Sequence, residues 1–377
     1  MRLPRSLGGS LDIEAKRAIL WFMKGLILSG GFGTRLRPLT YTGAKQLIPI
    51  ANKPIIFYGI EALTKVGIHK IGIVVGDTRQ EVQDTVGAGE RWKAEIAYLP
   101  QEAPLGLAHA IKISREFIGD EPFVMYLGDN ILKDNLSHLV KQFQETKPNA
   151  LILLTEVDNP QEFGVAVVDG KGNVKKLIEK PKEPPSNLAL VGIYLFDKEI
   201  FKAIENIRPS WRNELEITDA IQWLLDNGYR VESQTVKGWW KDTGKPEDII
   251  EANLLILEDI ETDNQGKVVD SNINGRVKIE KGALVEKSII RGPAIIGENA
   301  RIIRSYIGPF SSIGNGVRIE NSEVECSVIM DGAIIQNLEK RIDRSILGKN
   351  VVINQIDESP RTHKFILGDQ SYVEIIK

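Results

Sequence analysis

The chain has 377 residues, enough for two domains, and its formal net charge of −3 gives no basic field for nucleic acid or a membrane surface. Its single cysteine, Cys326, excludes an internal disulfide and disfavours a cysteine-rich metal site, which fits a reducing cytosol. No apolar run approaches the roughly 18 residues of a membrane span.

The first 22 residues carry Arg2, Arg5, Lys16 and Arg17, but the apolar stretch Ala18 to Met23 is too short for a signal segment and no Ala-x-Ala site follows. Residues 1–22 are therefore expected to be a dispensable extension before Met23-Lys24-Gly25. A short apolar strand, Gly25 to Leu28, leads into Ser29-Gly30-Gly31-Phe32-Gly33-Thr34-Arg35-Leu36-Arg37-Pro38. Glycines there permit positive φ angles and close backbone approach, so consecutive N–H groups can converge on an anion, and Arg35 adds a planar fork of donors. The run reads as a cradle for a nucleoside triphosphate, although a glycine-rich turn into a helix has the same look. It is not a dinucleotide fingerprint, because Leu36 stands where the third glycine belongs. Nor is it a P-loop, because Thr-Arg-Leu replaces Gly-Lys-Ser/Thr.

From Lys24 to about Asn130 strands and helices alternate. Strands are expected at Gly25–Leu28, Ile71–Val75, Glu95–Leu99 and Phe123–Leu127, with helices at Ile55–Lys65 and Gly106–Phe117 among them. Such alternation predicts a mostly parallel sheet covered on both faces, with ligands beyond the carboxyl ends of its strands. Residues 150–260 mix shorter strands (Leu151–Val157, Val165–Val168, Val174–Ile178, Leu190–Phe196, Val231–Val236) with helices near Lys198–Ile204 and Thr218–Asp226. The turn Asp169-Gly170-Lys171-Gly172-Asn173 has hairpin chemistry. Nothing marks a linker, so residues 23–262 are expected to form one α/β catalytic domain around a mixed, mostly parallel, Rossmann-like sheet.

After about residue 265 the pattern changes. Ile290, Ile296 and Ile302 are spaced by six, as are Ile307, Ile313 and Ile319, then Ile329 and Ile335, then Leu347 and Ile353. Glycine follows Ile296, Ile307, Ile313 and Leu347. A six-residue period of this kind predicts a β-helix, one flat face per hexad, over residues 263–377 with a C-terminal tail. The breaks at 303–306, 320–328 and 336–346 are expected to be loops or irregular coils.

Several residues could carry chemistry. Asp129, in Leu127-Gly128-Asp129-Asn130, and Asp242, in Trp239-Trp240-Lys241-Asp242-Thr243-Gly244, are each expected on a turn after a strand. Two such carboxylates suit Mg²⁺ bound together with phosphates, since the ion takes one or two protein carboxylates and fills its shell with phosphate oxygen and water. Ordinary turn aspartates give the same pattern. Lys45 before Gln46, Lys180 in Glu179-Lys180-Pro181, and Arg212 read equally well as solvated surface charges. His109, one of four histidines, is expected to be structural rather than a general base.

Gly30–Pro38, Lys45 with Gln46, Gln101 through Ala108, Leu127–Asn130, Phe163-Gly164-Val165, Glu179-Lys180-Pro181, Glu214–Asp219 and Trp240–Gly244 occur in that order. With these motifs the chain resembles the sugar-1-phosphate nucleotidylyltransferases. Among them it is most similar to the long-form glucose-1-phosphate thymidylyltransferases, which carry a left-handed β-helix after the catalytic domain. The resemblance runs from residue 24 to the C-terminus. Its one departure is Ala44, where the family often has proline before the lysine.

The resemblance implies a role for each matched residue. Gly30, Gly31, Gly33, Thr34 and Arg35 hold the triphosphate, with Arg35 on the departing pyrophosphate, and Lys45 beside Gln46 reaches the α-phosphate region. Gln101 hydrogen-bonds the pyrimidine edge, and the Gly106 backbone completes that pocket. Asp129 and Asp242 bind Mg²⁺, with Asn130 beside the substrate. Gly164, Glu179, Asn187 and Leu190 face the sugar, while Lys180 and Arg212 grip its phosphate. The implied substrates are dTTP, with UTP the alternative, and glucose 1-phosphate, in a cytoplasmic homo-oligomer with no nucleic-acid or membrane partner. The choice of thymine over uracil depends on room around one methyl group.

The chemistry agrees with this reading. A sugar-1-phosphate dianion is already nucleophilic at neutral pH, so cations and orientation are needed rather than a general base. Two other readings compete. A catalytically silent nucleotide sensor would not need Lys45, Asp129, Lys180 and Asp242 intact. An added sugar acyltransferase in the β-helix usually recruits a histidine, and none lies between Asp270 and Pro360.

Overall fold

The computed structural model describes residues 23–356 and 363–375, so the expectation for residues 1–22 lies outside the described residues. The chain forms two compact units whose division differs from a single boundary near residue 262. One comprises residues up to Phe32 with Ile56–Asp242; the other comprises Gly33–Ile55 with residues from Thr243 onward.

The first unit is built on a sheet of nine strands among the described residues. They are β1 (Lys24–Ser29), β2 (Lys70–Val75), β3 (Glu95–Pro100), β4 (Phe123–Leu127), β5 (Ala150–Glu156), β6 (Gly164–Val168), β7 (Val174–Glu179), β8 (Leu188–Phe196) and β9 (Val231–Thr235). Along the sheet the order is β7-β6-β8-β4-β1-β2-β3, with β5 also pairing β8 and β9 pairing β5. β1 to β4 run parallel, whereas β8 is antiparallel to β4, β5 and β6. Leu26, Ile27, Ile71, Ile73, Phe123, Val124 and Met125 are fully buried, as strands covered on both faces require. β6 and β7 form the hairpin foreseen around Asp169–Asn173, where Gly172 donates to the Asp169 carbonyl.

Two local expectations are corrected. The single helix over Gly106–Phe117 is split into Leu107–Ile113 and Arg115–Ile118. Buried Ser114 interrupts it, its hydroxyl donating back to the Ala110 carbonyl at 2.7 Å. Asp242 does not sit on a turn. It ends a strand, Trp240–Asp242, that pairs antiparallel with Asn130–Leu132 and sets Asp242 opposite Asn130.

The second unit contains a left-handed parallel β-helix of three sheets. Ile290, Ile296 and Ile302 lie on the three successive faces of one coil, and they pair with Ile307, Ile313 and Ile319 of the next, 17 residues on. All six are fully buried, which is why the hexads were visible. The breaks at 303–306 and 320–328 are regular coils after all. Their corners are one residue shorter, and buried Val324 takes the inward position between Ile307 and Ile342. Only the step to Ile342 carries extra residues.

Gly33–Ile55 belongs to this unit through Asn253, a fully buried residue of the helix Pro246–Leu257. Its Oδ1 accepts from the Ala51 N–H at 2.9 Å and from the Ser312 hydroxyl at 2.6 Å, while Nδ2 donates to the Phe310 carbonyl at 3.0 Å. Asn52 donates to the Ile313 carbonyl at 2.7 Å. The segment that carries Arg35 and Lys45 is thereby tied to the β-helix.

Candidate active site

In the first unit three clusters lie at the carboxyl ends of the sheet strands. After β1, Gly30 is packed so closely that a Cβ there would come within 2.8 Å of Gln101 Oε1, and a Cβ on Gly76 within 3.0 Å of the Gly30 carbonyl. Gln101 follows β3 and is buried, and its Nε2 lies 2.9 Å from His109 Nδ1. Burial, and secondarily Lys112, hold His109 below the ordinary imidazole value. A neutral ring with the proton on Nε2 therefore accepts from the Gln101 amide, which fixes the carbonyl end toward Gly30. Gly106 has φ 103°, and a Cβ would meet the Leu215 carbonyl at 2.4 Å. Its glycine is required by that backbone approach, which is sealed by the Leu215 N–H on the Leu105 carbonyl at 2.8 Å.

The second cluster centres on Asn130, which is almost completely buried. Its Nδ2 donates to Asp129 Oδ1 at 3.1 Å and toward Asp242 Oδ1 at 3.4 Å, while its Oδ1 accepts from Trp240 Nε1 at 2.7 Å. Two carboxylates thus share one neutral donor. A Cβ on Gly192 of β8 would strike Asn130 Oδ1 at 2.5 Å, so the strand is kept bare to admit this amide. All offered oxygens are hard ligands, and the pair of like charges is suited to a divalent cation. No group of three or more His, Cys, Asp or Glu side chains placed to hold a metal occurs among the described residues.

The third cluster surrounds Glu179 at the end of β7. Thr218 donates to Glu179 Oε2 at 3.1 Å, and the bare backbone of Gly164 lets both pack against it, since a Cβ would lie 2.6 Å from Thr218 Cγ2 and 3.1 Å from Glu179 Oε2. Leu190 borders the same point at 3.8 Å. Burial first, and Glu216 second, push the Glu179 carboxyl up, against Lys180, Thr218 and Arg212. Arg212 is shared among Glu179, Glu214 and Glu216 at 3.5, 2.9 and 3.4 Å. Its charge is already engaged, a circumstance invisible in the sequence. Lys180 has φ 39° and its N–H donates to the Phe163 carbonyl at 3.1 Å. Phe163 in turn meets Trp240 edge-on at 5.6 Å, joining this cluster to the carboxylate pair. Asn187 is exposed, and its carbonyl accepts from the Val157 N–H at 3.0 Å.

In the second unit Gly33 has φ 62° and caps the short helical turn Thr34–Leu36. Thr40 donates to the Gly33 carbonyl at 2.7 Å, and a Cβ on Gly33 would meet Thr40 Cγ2 at 3.0 Å and Lys45 Cβ at 3.1 Å. The glycine turn and Lys45 are therefore neighbours, with Thr34 and Arg35 exposed beside them. Gln46 is buried with Oε1 unpartnered, an acceptor left for a donor that the protein does not supply.

His109, Trp240, Thr218 and Glu216 escaped the sequence reading as parts of the site. Trp240, Thr218 and Glu216 lie inside quoted motifs without a role of their own and His109 lies outside them all; only the fold sets these four against Asn130, Glu179, Arg212 and Gln101.

Residues 24–259 match the family model described as Nucleotidyl transferase. A glucose-1-phosphate thymidylyltransferase from Streptomyces griseus is 48% identical over 94% of this chain and 99% of that protein. The low-salt glycan biosynthesis nucleotidyltransferase Agl11 of Haloferax volcanii is also 48% identical, over 94% of this chain and 100% of that protein. Among solved structures, one from Bacillus anthracis assigned as a glucose-1-phosphate thymidylyltransferase, in complex with a sucrose, aligns with a TM-score of 0.60 at 37% identity. It covers 64% of this chain and 98% of that chain. About a third of this chain has no counterpart there, whereas the two full-length relatives extend over nearly all of it.

Proposed function

This chain belongs to the nucleotidyl transferase family and is a nucleotidyltransferase, and we propose that it transfers a thymidylyl group from dTTP to glucose 1-phosphate, giving dTDP-glucose and pyrophosphate. The general substrates, a sugar 1-phosphate and a nucleoside triphosphate, follow from the family. The thymidylyl choice is supported by the Streptomyces griseus relative, similar over its whole length. One observation carries the chemistry: Asp129 and Asp242 converge on a single amide nitrogen.

Enzymes of this family generally need a divalent metal, and we assign Mg²⁺ to Asp129 and Asp242. Bound there, the ion supplies positive charge to phosphate oxygens. Asn130, held by Trp240, keeps both carboxylates aimed at one point. Gln101, fixed by His109, reads the pyrimidine edge beside Gly106. Glu179 with Thr218, both packed against Gly164, takes the sugar hydroxyls, with Leu190 and Asn187 nearby, and Lys180 takes the sugar phosphate. Arg212 joins Lys180 by exchanging one glutamate partner for phosphate oxygen. Gly30, Gly31, Gly33, Thr34, Arg35, Lys45 and Gln46 hold the triphosphate.

A sugar-phosphate oxygen attacks the α-phosphorus as the bond to the bridging oxygen breaks, and pyrophosphate carries away the electron pair. No proton transfer is required, so positive charge and orientation carry the step and no general base is needed. We take residues 23–262 as the catalytic domain and 263–377 as the β-helix domain and tail. We place the enzyme in the cytoplasm, in keeping with its single cysteine.

The test is a panel of four nucleoside triphosphates against several sugar 1-phosphates, read by pyrophosphate release. The expected optimum is dTTP with glucose 1-phosphate. A preference for UTP would overturn the thymidylyl assignment, and no release from any pair would overturn nucleotidyl transfer.

A further inference from the structure

In residues 363–375 the large apolar side chains Phe365, Ile366, Leu367, Tyr372, Val373 and Ile375 are all exposed. The segment nevertheless repeats the last coil of the β-helix. Ile366-Leu367-Gly368-Asp369-Gln370-Ser371-Tyr372-Val373 aligns with Ile346-Leu347-Gly348-Lys349-Asn350-Val351-Val352-Ile353. The backbone agrees as well. Gln370 and Asn350 both have φ 59°, and the following N–H reaches back three residues in each, Ser371 to the Gly368 carbonyl and Val351 to the Gly348 carbonyl, both at 3.4 Å. The same corner recurs at Ala283, Ala300 and Ala333. Residues 363–375 thus have the sequence and corner of a β-helix coil but form no strand ladder.

At the other side of this relation, the sheets of the β-helix end, among the described residues, in Ile346–Leu347, Val352–Asn354 and Ile342–Asp343, with Val352 exposed. Such an end has unpaired N–H and C=O groups and an open core, and repeat folds require it to be covered. In their own chain residues 363–375 join none of these sheets. The position stacking on Ile342 would fall in Ser359-Pro360-Arg361-Thr362, which offers no apolar residue and a proline without an N–H.

We propose that residues 365–375 add as a partial coil to the open C-terminal end of the β-helix in a second copy of this chain. Leu367 stacks on the partner's Leu347 and Val373 on the partner's Ile353, extending two of its sheets by parallel pairing. If both tails cross, each copy caps the other and the assembly closes as a two-fold dimer.

Two measurements on the full chain test this. The variant Leu367→Asp/Val373→Asp alters only exposed side chains, so its fold is retained. Sedimentation velocity is expected to show dimers of the unaltered chain at micromolar concentration and dissociation strengthened at least about 100-fold in the variant. Unchanged association would overturn the proposal. In a Cys326→Ser background, chains with Val352→Cys are mixed with chains with Tyr372→Cys and oxidised, since stacked coil positions meet disulfide geometry. A covalent pair formed only in the mixture is the expected result. Its absence, or a crosslink at single-chain mass when both substitutions share one chain, would overturn it.

Discussion

Gln101 donates from Nε2 to His109 Nδ1 across 2.9 Å, so a histidine outside every motif determines how the amide that we propose reads the base is presented. His109→Phe removes the acceptor and frees the amide to rotate. The expected result is a KM for the nucleotide raised about tenfold, the worth of one modest hydrogen bond, with kcat little changed. The pH response has a definite sign. Burial lowers the His109 pKa, so the contact is intact at neutral pH and is lost as pH falls through that lowered value, when Nδ1 becomes a donor. Nucleotide KM should rise on the acid side in the unaltered enzyme and lack that limb in His109→Phe. An identical acid limb in both would show that His109 does not control Gln101.

Asp129 and Asp242 are expected to act as a pair. Asp129→Asn removes one charge and puts a second amide against Asn130, so turnover should fall about 10²–10³-fold, the loss typical of one electrostatic contact to a transition state. The metal concentration for half-maximal rate should rise as well. Lys180→Ala should lower turnover on the same scale without moving that metal midpoint. Near-normal rates in both variants would remove the assignment.

Glu179 gives a prediction about stability. Its folded pKa is raised, chiefly by burial, so between the unfolded and folded values the folded state holds the extra proton. Stability therefore declines as pH rises through that window, and the carboxylate is a burden at neutral pH. Glu179→Gln keeps an acceptor for Thr218 but removes the charge. Its Tm should exceed that of the unaltered chain at pH 7, with the difference shrinking as pH is lowered through the raised value. The KM for the sugar phosphate should rise meanwhile. A Tm lower than the unaltered chain at pH 7 would contradict the burial argument.

What the sequence disclosed follows from periodicity and from local chemistry. Buried parallel strands such as Phe123–Leu127 and hexads such as Ile290, Ile296 and Ile302 announce themselves because every core position must be apolar. The glycine loop and the Asp129 turn stand out because few residues tolerate those backbones or supply that charge. Relationships across the fold were hidden. Asp242 looks like a turn residue until Trp240–Asp242 pairs with Asn130–Leu132, and Arg212 looks available until three glutamates from two segments close on it. Val324 was overlooked because five-residue corners shift the hexad count by one.

Asn253 joins three backbone segments of the second unit, and its loss should be felt beyond stability. Asn253→Ala removes the partner of the half-buried Ala51 N–H and Phe310 carbonyl and of the buried Ser312 hydroxyl, at about 1 kcal/mol for each. Because Gly33–Ile55 bears Arg35 and Lys45, kcat should fall at temperatures where the variant remains folded. Reduced Tm with unaltered kcat would mean that the anchor has no influence on those residues.

The β-helix is held by a column of serines that the hexad pattern does not show. Asp270, Lys287, Arg304 and Asn321 each have a positive φ, and each precedes a serine: Ser271, Ser288, Ser305 and Ser322. The hydroxyl of one serine accepts from the N–H of the serine one coil later, Ser271 from Ser288 at 3.0 Å, Ser288 from Ser305 at 3.1 Å and Ser305 from Ser322 at 3.3 Å. At the same corner Ser305 donates to the Ile303 carbonyl at 2.8 Å. Ser305→Ala therefore strands a buried N–H, and the β-helix should lose about 1–3 kcal/mol. Glu323→Ala provides the contrast, since it removes an exposed pair with Arg341 at 2.9 Å, for which about 1 kcal/mol or less is expected. Urea unfolding followed by hydrogen exchange at Ser322 should separate the two. Equal losses in both variants would mean that the serine column is not what secures these corners.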